Sequence, residues 1–191
     1  MKAVLFSGVP ELIMFAAVFA LGGDGRFFAV FSAAIIHEAA HVAAAALAGV
    51  PLRLCRTGFA GAVLVYDTSC ASLGAEAAIC AAGPGVGLAV TAIGYAAGVR
   101  SYFIAANAAL SIFNLLPVSY LDGGGILSSL LEMHLTPDTV WRVMRVMSFL
   151  FTLAVWCLSV AALVICEGNM SSMCAAIYLM YRLFSEYSPI N

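Results

Sequence analysis

The stretch of sequence that decides the fold is residues 27–48, FFAVFSAAIIHEAAHVAAAALA. As a helix rising 1.5 Å per residue, it would be about 33 Å long, which is enough to cross the hydrocarbon core of a bilayer. Three ionisable side chains, those of His37, Glu38 and His41, interrupt this largely apolar run. Because ionisable groups inside a membrane span are costly, we interpret them as functional residues.

These three residues form the pattern H-E-x-x-H, in which the histidines are four residues apart. Positions i and i+4 share one face of a helix, so both imidazoles can reach the same metal ion. Zinc is the usual metal at such a site, and the glutamate beside the first histidine can act as a general base toward water. The alternatives are a chance match and a buried polar cluster without a metal. The cost of burying such groups unpaired disfavours both.

A third ligand is needed, because catalytic zinc usually has three protein ligands and one open position. The best candidate is Asp122, which follows an interruption of an apolar segment in NLLPVSYLDGG at residues 114–124. Pro117 removes a backbone donor and the glycines permit unusual dihedral angles, so we expect a kinked or unwound stretch that turns the carboxylate inward. The alternative for Asp122 is a loop carboxylate with no ligand role. His134 lies near a predicted span end, where we expect an interfacial role.

The composition of the whole chain is that of a membrane protein. Of its 191 residues, 64% are hydrophobic and 9% are charged, and the mean hydropathy is +1.06. Soluble domains carry about 25% charged residues, so the composition excludes a soluble enzyme and a disordered protein. The net charge of −2 and the lack of a basic run exclude a nucleic-acid binder. The six cysteines form no C-x-x-C pair, and we assign them neither disulfides nor a metal.

The apolar segments predict an all-α polytopic membrane protein with about six transmembrane helices. We expect the fourth helix to be broken and a short hairpin within residues 57–66 to dip into the membrane after the second. An apolar interfacial loop is the alternative for this segment. The predicted spans cover residues 3–21, 27–48, 75–99, 101 onward with an interruption at 114–125, 143–166 and 172–184.

Basic residues predict the orientation of these spans. With both termini inside, the inner segments would hold six basic residues and the outer loops two, Arg26 and Arg100. The positive-inside rule therefore predicts that both termini are cytoplasmic.

Two further patterns lie in the predicted third and fourth spans. The glycine pairs Gly83/Gly87 and Gly94/Gly98 have the four-residue spacing that lets helix backbones approach closely. Asn107 and Asn114 share a helix face, and we interpret Asn107 as a helix-packing residue. For Asn114, helix packing and a catalytic role toward a substrate carbonyl or oxyanion both stay open.

The motifs HEAAH, AGPGVG and NLLPVSYLDGG together resemble those of the site-two protease family of intramembrane zinc metalloproteases, most closely its stage IV sporulation factor B branch. The resemblance implies one zinc ion per chain, held by His37, His41 and Asp122, with Glu38 as the catalytic acid–base. It places Asn114 in the motif around the third ligand, as a second catalytic residue. It also implies that the hairpin contacts an extended substrate through Gly58, Phe59 and Gly61.

The resemblance also implies what such a protein cleaves and where. Its substrates would be membrane-embedded or membrane-associated proteins, such as a sigma factor precursor or a membrane-tethered regulator in a bacterial cell membrane. An inhibitory or regulatory membrane protein would be a partner, and nucleic acid would not. We expect a single metalloprotease domain over residues 1–191 with its catalytic core at 27–134, and no CBS or PDZ domain.

Two alternatives and two departures from the family pattern remain. The alternatives are a membrane metal transporter using the same three ligands and an inactive relative that sequesters a membrane partner. The family commonly has Asn where this chain has Gly87, and many members have Pro where this chain has Ser119 or Tyr120.

Overall fold

A computed structural model describes residues 3–6, 26–58, 61–67 and 71–165, together with residues 176, 177, 179–181, 183 and 184. Within these residues the chain forms five continuous helices, one small sheet and some further helical residues between 176 and 184. In chain order the elements are strand β1 (Ala3–Phe6), helix α1 (Arg26–Leu47), strands β2 (Leu52–Gly58) and β3 (Gly61–Asp67), and helices α2 (Leu73–Ala96), α3 (Tyr102–Asn114), α4 (Asp122–Glu132) and α5 (Pro137–Ile165).

Three of the described helices are long and apolar enough to cross a membrane: Phe28–Leu47, Leu73–Ala96 and Pro137–Ala162. They correspond to the predicted second, third and fifth spans, which are confirmed as helices. The fifth begins six residues earlier than we predicted, at Pro137 rather than at residue 143. Proline is well suited to the first turn of a helix, where its missing N–H group would have no intrahelical partner.

The distribution of side chains is the reverse of that in a soluble protein. Large apolar side chains face outward along the long helices; Leu47 is 90% exposed and Leu158 is 70% exposed. Polar side chains are buried instead, among them Asn107, Ser111 and Thr152. This arrangement suits a bundle surrounded by lipid, in which polar groups gain only from partners inside the protein.

Glycines set the ends of two of the long helices. Gly49 follows α1 with a φ of 68° and Gly98 follows α2 with a φ of 74°. In both cases the next residue closes the turn, because Val50 N–H donates to Ala45 O and Val99 N–H donates to Gly94 O, each at 2.9 Å. This Schellman geometry needs a left-handed residue, which glycine adopts without steric cost.

The residues of the predicted fourth span form two short helices, α3 and α4, separated by residues 115–121. That they make up one broken transmembrane helix stays a prediction. The connecting segment makes tight turns of its own, in which Val118 N–H donates to Leu116 O and Leu121 N–H donates to Val118 O, both at 2.8 Å. Pro117 lies between them and has no N–H group to continue a helix. The first helix therefore ends before this segment, and Asp122 is the first residue of the next helix, α4.

The glycines after Asp122 act by their size rather than by unusual dihedral angles, which corrects our prediction. Gly123 and Gly124 have helical conformations inside α4, and positive φ angles among the described residues occur at glycines elsewhere. A Cβ atom on Gly123 would overlap the carbonyl oxygen of Leu115, and one on Gly124 would overlap that of Val118. The absence of side chains therefore lets residues 115–118 lie directly on the first turn of α4.

Helix α2 packs against α1, α3 and α4, so it lies at the centre of the bundle. Its glycines mark the contacts, because a Cβ on Gly87 would overlap Ser111 Oγ and one on Gly94 would overlap Ile104 Cδ1, both on α3. The predicted packing role is thus confirmed for these glycines. Gly98 instead ends the helix.

The sheet contains a hairpin that begins five residues before the predicted segment and a strand that we did not predict. That the hairpin dips into the membrane stays a prediction. β2 and β3 pair antiparallel with Gly58 opposite Gly61, and β1 pairs with the other edge of β3. Our prediction that a helical span begins at residue 3 is therefore wrong for residues 3–6. The exposed backbone groups of β3 offer these residues hydrogen-bond partners, and apolar composition alone did not reveal that pairing. The remainder of the predicted first span, residues 7–25, lies outside the described residues.

The predicted sixth span is described only in part. Residues 176, 177, 179–181, 183 and 184 are helical, and the other residues of that span lie outside the described part of the chain. Ala176, Leu179 and Leu183 are buried, a spacing of three and four residues that places them on one helix face. This face therefore packs against the protein.

We predict that Gly124→Ala destabilises the fold, because the added methyl group would overlap a backbone oxygen that has little room to move. We expect a loss of about 1–3 kcal/mol, typical of overpacked sites. Thermal unfolding of the purified chain in detergent would measure it. Gly74→Ala is the control, because its Cβ would meet neighbours no closer than 3.9 Å. Equal melting temperatures for the two variants would contradict the prediction.

Candidate metal centre

Helix α1 brings two histidine side chains to one buried point. His37 and His41 are 2% and 1% exposed, and their Nε2 atoms are 3.2 Å apart. The rings meet nearly edge to face, with centroids 4.8 Å apart and an interplanar angle of 77°. The i, i+4 spacing therefore does what the sequence motif predicts: it places both imidazoles on the same face of one helix.

Asp122 completes the group from the start of α4. Its Oδ2 atom lies 2.9 Å from His37 Nε2 and 3.3 Å from His41 Nε2, and the residue is 8% exposed. The three residues are the one group of potential metal ligands found among the described part of the chain. One carboxylate oxygen thus faces both histidine nitrogens, although Asp122 is 85 residues from His37 in the sequence.

The donor set fits a zinc ion. Two donors bound to a tetrahedral zinc ion at about 2.0–2.2 Å lie roughly 3.3–3.6 Å apart. The three separations here, 2.9, 3.2 and 3.3 Å, are close to that spacing. Two nitrogens and one oxygen also match the ligand preferences of zinc, and three protein ligands leave a fourth position for water or substrate.

A backbone carbonyl orients one of the two histidines. His41 Nδ1–H donates to Ile79 O at 2.7 Å, so the proton of this ring is on Nδ1. The lone pair of Nε2 therefore faces the other two potential ligands, His37 and Asp122. His37 Nδ1 is buried and has no hydrogen-bond partner among the residues that the structure describes. Sequence reasoning missed the role of Ile79, because an apolar side chain gives no sign that its carbonyl is used.

Gly83 of α2 lies directly against this site. A Cβ at this position would overlap His41 Nε2 and would lie 2.8 Å from His37 Nε2. The sequence predicted close helix packing for the motif containing Gly83, and the structure shows that its neighbours are the two histidines. The glycine therefore keeps the space in front of both ligand nitrogens free of protein atoms.

Glu38 lies beside the donor group without belonging to it. Its side chain is partly buried, whereas that of His37 is fully buried. The potential metal ligands are His37, His41 and Asp122, and Glu38 is not one of them. A carboxylate that does not bind the metal is free to exchange protons with water. Its catalytic role stays a prediction.

The two asparagines of α3 bond within their own helix. Asn107 Nδ2 donates to Phe103 O at 2.8 Å, and Asn114 Nδ2 donates to Leu110 O at 3.1 Å. The contact that we expected between Asn107 and another helix is therefore not made by its amide nitrogen. Both amides bond to the carbonyl one turn earlier in α3, a bond that short polar side chains can make inside a helix. The catalytic role of Asn114 stays a prediction.

The remaining predicted residues lie away from the donor group or outside the description. Gly58 and Gly61 end the two hairpin strands, and Phe59 lies outside the described residues. Their contact with substrate stays a prediction. His134 is exposed just after α4 and is not part of the donor group, in agreement with a non-ligand role.

Hydroxyl groups behind Asp122 form a second feature that sequence reasoning missed. Ser119 N–H donates to Ser148 Oγ of α5 at 2.9 Å, and Tyr120 O–H donates to Leu179 O at 2.7 Å. Single serines and tyrosines in apolar segments carry no signal of their partners. These contacts could therefore be found only from the structure.

Comparisons with known proteins find a partial family match and a similar solved structure. Residues 99–155 match the model of peptidase family M50, a range that contains Asp122 but neither of the two histidines. The fold is similar to that of the site-2 protease from Methanocaldococcus jannaschii, with a TM-score of 0.68 and 16% sequence identity. The match covers 95% of this chain and 89% of that chain. No curated protein sequence matches this chain.

These findings support a metalloprotease of the site-2 type. M50 peptidases are zinc metalloproteases, which agrees with the donor set of two histidines and one aspartate. The structural likeness, at its low identity, shows the fold of site-2 proteases. The apolar helices and this fold also support a membrane protein.

We predict that Gly83→Ala removes zinc from the candidate centre, because the new methyl group would lie against His41 Nε2. Zinc content after purification, measured by mass spectrometry of the metal, should fall at least about tenfold, in the range seen when the surroundings of metal ligands are altered. Gly85→Ala is the matched control, since its Cβ would meet nothing within 4 Å. Full zinc content in Gly83→Ala would show that this contact is unimportant.

Proposed function

We propose that this chain is an intramembrane zinc metalloprotease that hydrolyses peptide bonds of membrane-embedded or membrane-associated proteins. One observation carries the proposal: a buried donor set of His37, His41 and Asp122 lies among helices that are apolar enough to cross a membrane. Such a set is costly to bury without a partner ion, and its ligands leave one position open for chemistry.

The chemistry follows from the donor set and its neighbour. A bound zinc ion would act as a Lewis acid and lower the pKa of water to about 7. The Glu38 carboxylate would accept the proton that water loses as it attacks the scissile carbonyl, and would then pass this proton to the leaving amide nitrogen. Asn114, at the end of α3, would hold the substrate carbonyl or the developing oxyanion through its side-chain amide.

The substrate must be extended where it is cut. A helix keeps its carbonyls in internal hydrogen bonds, so a membrane-spanning substrate has to unwind before a carbonyl can reach the site. We expect helix-breaking residues near the cleavage position for this reason. The hairpin of β2 and β3 would then pair with the extended segment through backbone hydrogen bonds, with Gly58, Phe59 and Gly61 in contact with it.

The finer assignments rest on the motif resemblance. We propose a sigma factor precursor or a membrane-tethered regulator as substrate, as in the stage IV sporulation factor B branch, in a bacterial cell membrane with cytoplasmic termini. A membrane protein that holds the enzyme inactive would be its partner. The motifs in α1, α2 and the segment before α4 support this placement.

We predict that Glu38→Gln abolishes proteolysis and leaves zinc bound. The amide has almost the same shape but cannot accept the proton, and loss of a general base typically costs about 10²–10⁴-fold in rate. The purified wild type and variant would be reconstituted in lipid vesicles with membrane-tethered candidates, including a sigma factor precursor. Cleavage would be followed on gels and zinc would be quantified in both proteins.

Glu132→Gln at the end of α4 is the control, because it makes the same change ten residues beyond Asp122. The proposal expects wild-type cleavage from this control. Zinc bound by the wild type, with its transport across the vesicle membrane and no cleavage, would favour a metal transporter instead. Cleavage that persists in Glu38→Gln would remove the general-base role, and absence of zinc from the wild type would refute the site.

A further inference from the structure

The segment that carries Asp122 is held by hydroxyl groups of α5. Ser148 Oγ accepts a hydrogen bond from Ser119 N–H at 2.9 Å and lies 2.8 Å from Ser119 Oγ, so the two hydroxyls share a second bond. Ser148 is fully buried. Ser119 is three residues before Asp122, in the non-helical stretch that precedes α4.

Tyr120 makes a second attachment, to the backbone of Leu179. Its hydroxyl donates to Leu179 O at 2.7 Å and lies 3.4 Å from Thr152 Oγ1. Thr152 is four residues after Ser148, so both hydroxyls are on the same face of α5, and both are fully buried. Two consecutive residues of the Asp122 segment are therefore attached to α5, and Tyr120 is also attached to Leu179.

These attachments add to the bonds that the segment makes for itself. The N–H groups of Val118 and Leu121 donate within the segment, whereas Ser119 N–H donates to Ser148 of α5. Leu121, which caps α4, makes no side-chain capping bond. Ser148 is fully buried, so water does not compete for its hydroxyl, and bonds made there are well placed to hold the segment in one position.

We propose that Ser148 and Tyr120 are positioning residues of the metal centre, which hold residues 119–121 so that Asp122 Oδ2 faces both histidines. The inference rests on the proposed function, because it concerns the same centre. A metal ligand has to be held within about 0.5 Å of its productive position, and residues behind the ligands typically change metal affinity by about 10–100-fold.

The test measures zinc release rather than proteolysis. The full-length wild type and the variants Ser148→Ala and Tyr120→Phe would be purified in detergent, loaded with zinc and mixed with an excess of chelator. We expect both variants to release zinc about tenfold faster than the wild type, in line with lost support behind a ligand. Replacing zinc with Co²⁺ would report the coordination itself, because its visible absorption depends on ligand geometry.

Ser159→Ala is the matched control. Ser159 is also buried on α5, but it lies 11 residues beyond Ser148, which is about 16 Å along the helix. If Ser148 had only a packing role, the two alanine variants would lose similar thermal stability and release zinc alike. We expect similar melting temperatures, with faster zinc release and an altered Co²⁺ spectrum for Ser148→Ala alone.

Each outcome decides one point. Zinc release from Ser148→Ala and Tyr120→Phe at the rate of Ser159→Ala would overturn the inference and leave the proposed function intact. A wild type that binds no zinc would overturn the proposed function and the inference with it. If Ser148→Ala does not fold, Tyr120→Phe decides, because it removes one oxygen and keeps the ring.

Discussion

The contact of Asp122 with His37 and His41 is the constraint on which the rest of the structure depends. It joins the first residue of α4 to the middle of α1, at 2.9 and 3.3 Å, inside a bundle whose surface is apolar. Three ionisable groups are stable there only when they face one another or a shared ion. The neighbouring backbone must leave room for this arrangement: Gly83 of α2 leaves space beside both histidines, and Gly124 lets Val118 lie against the first turn of α4.

The same constraint explains why so much polarity lies inside the molecule. Lipid cannot satisfy a hydroxyl or an amide, and most serines, threonines and asparagines of the described helices are buried. Some bond back to their own helix, as Asn107 and Asn114 do. Ser148 instead accepts a bond from Ser119 N–H in the irregular stretch before Asp122. Irregular backbone inside a membrane protein is tolerated where the protein supplies such bonds.

Local patterns were enough to predict much of the helical framework and the candidate ligands. The four-residue spacing of His37 and His41 is a property of one helix, and the break before Asp122 is visible in its proline and glycines. The groups around these ligands could not be predicted in the same way. The carbonyl of Ile79 and the pairing of β1 with β3 are contacts between distant segments, and hydropathy does not encode which segments meet. The catalytic and substrate-binding roles stay predictions.

At Ser119 and Tyr120 this chain differs from the motif that it resembles, and both residues make hydrogen bonds that a proline could not make. A proline at either position would stiffen the segment by fixing φ, and it would need no partner elsewhere. Serine and tyrosine leave the backbone freer, but they add an N–H group and hydroxyls that can bond to neighbours. In this chain those bonds reach Ser148 and Leu179. The placement of Asp122 thereby becomes dependent on α5 and the helical residues beyond it, whereas a proline would make it a property of the segment alone.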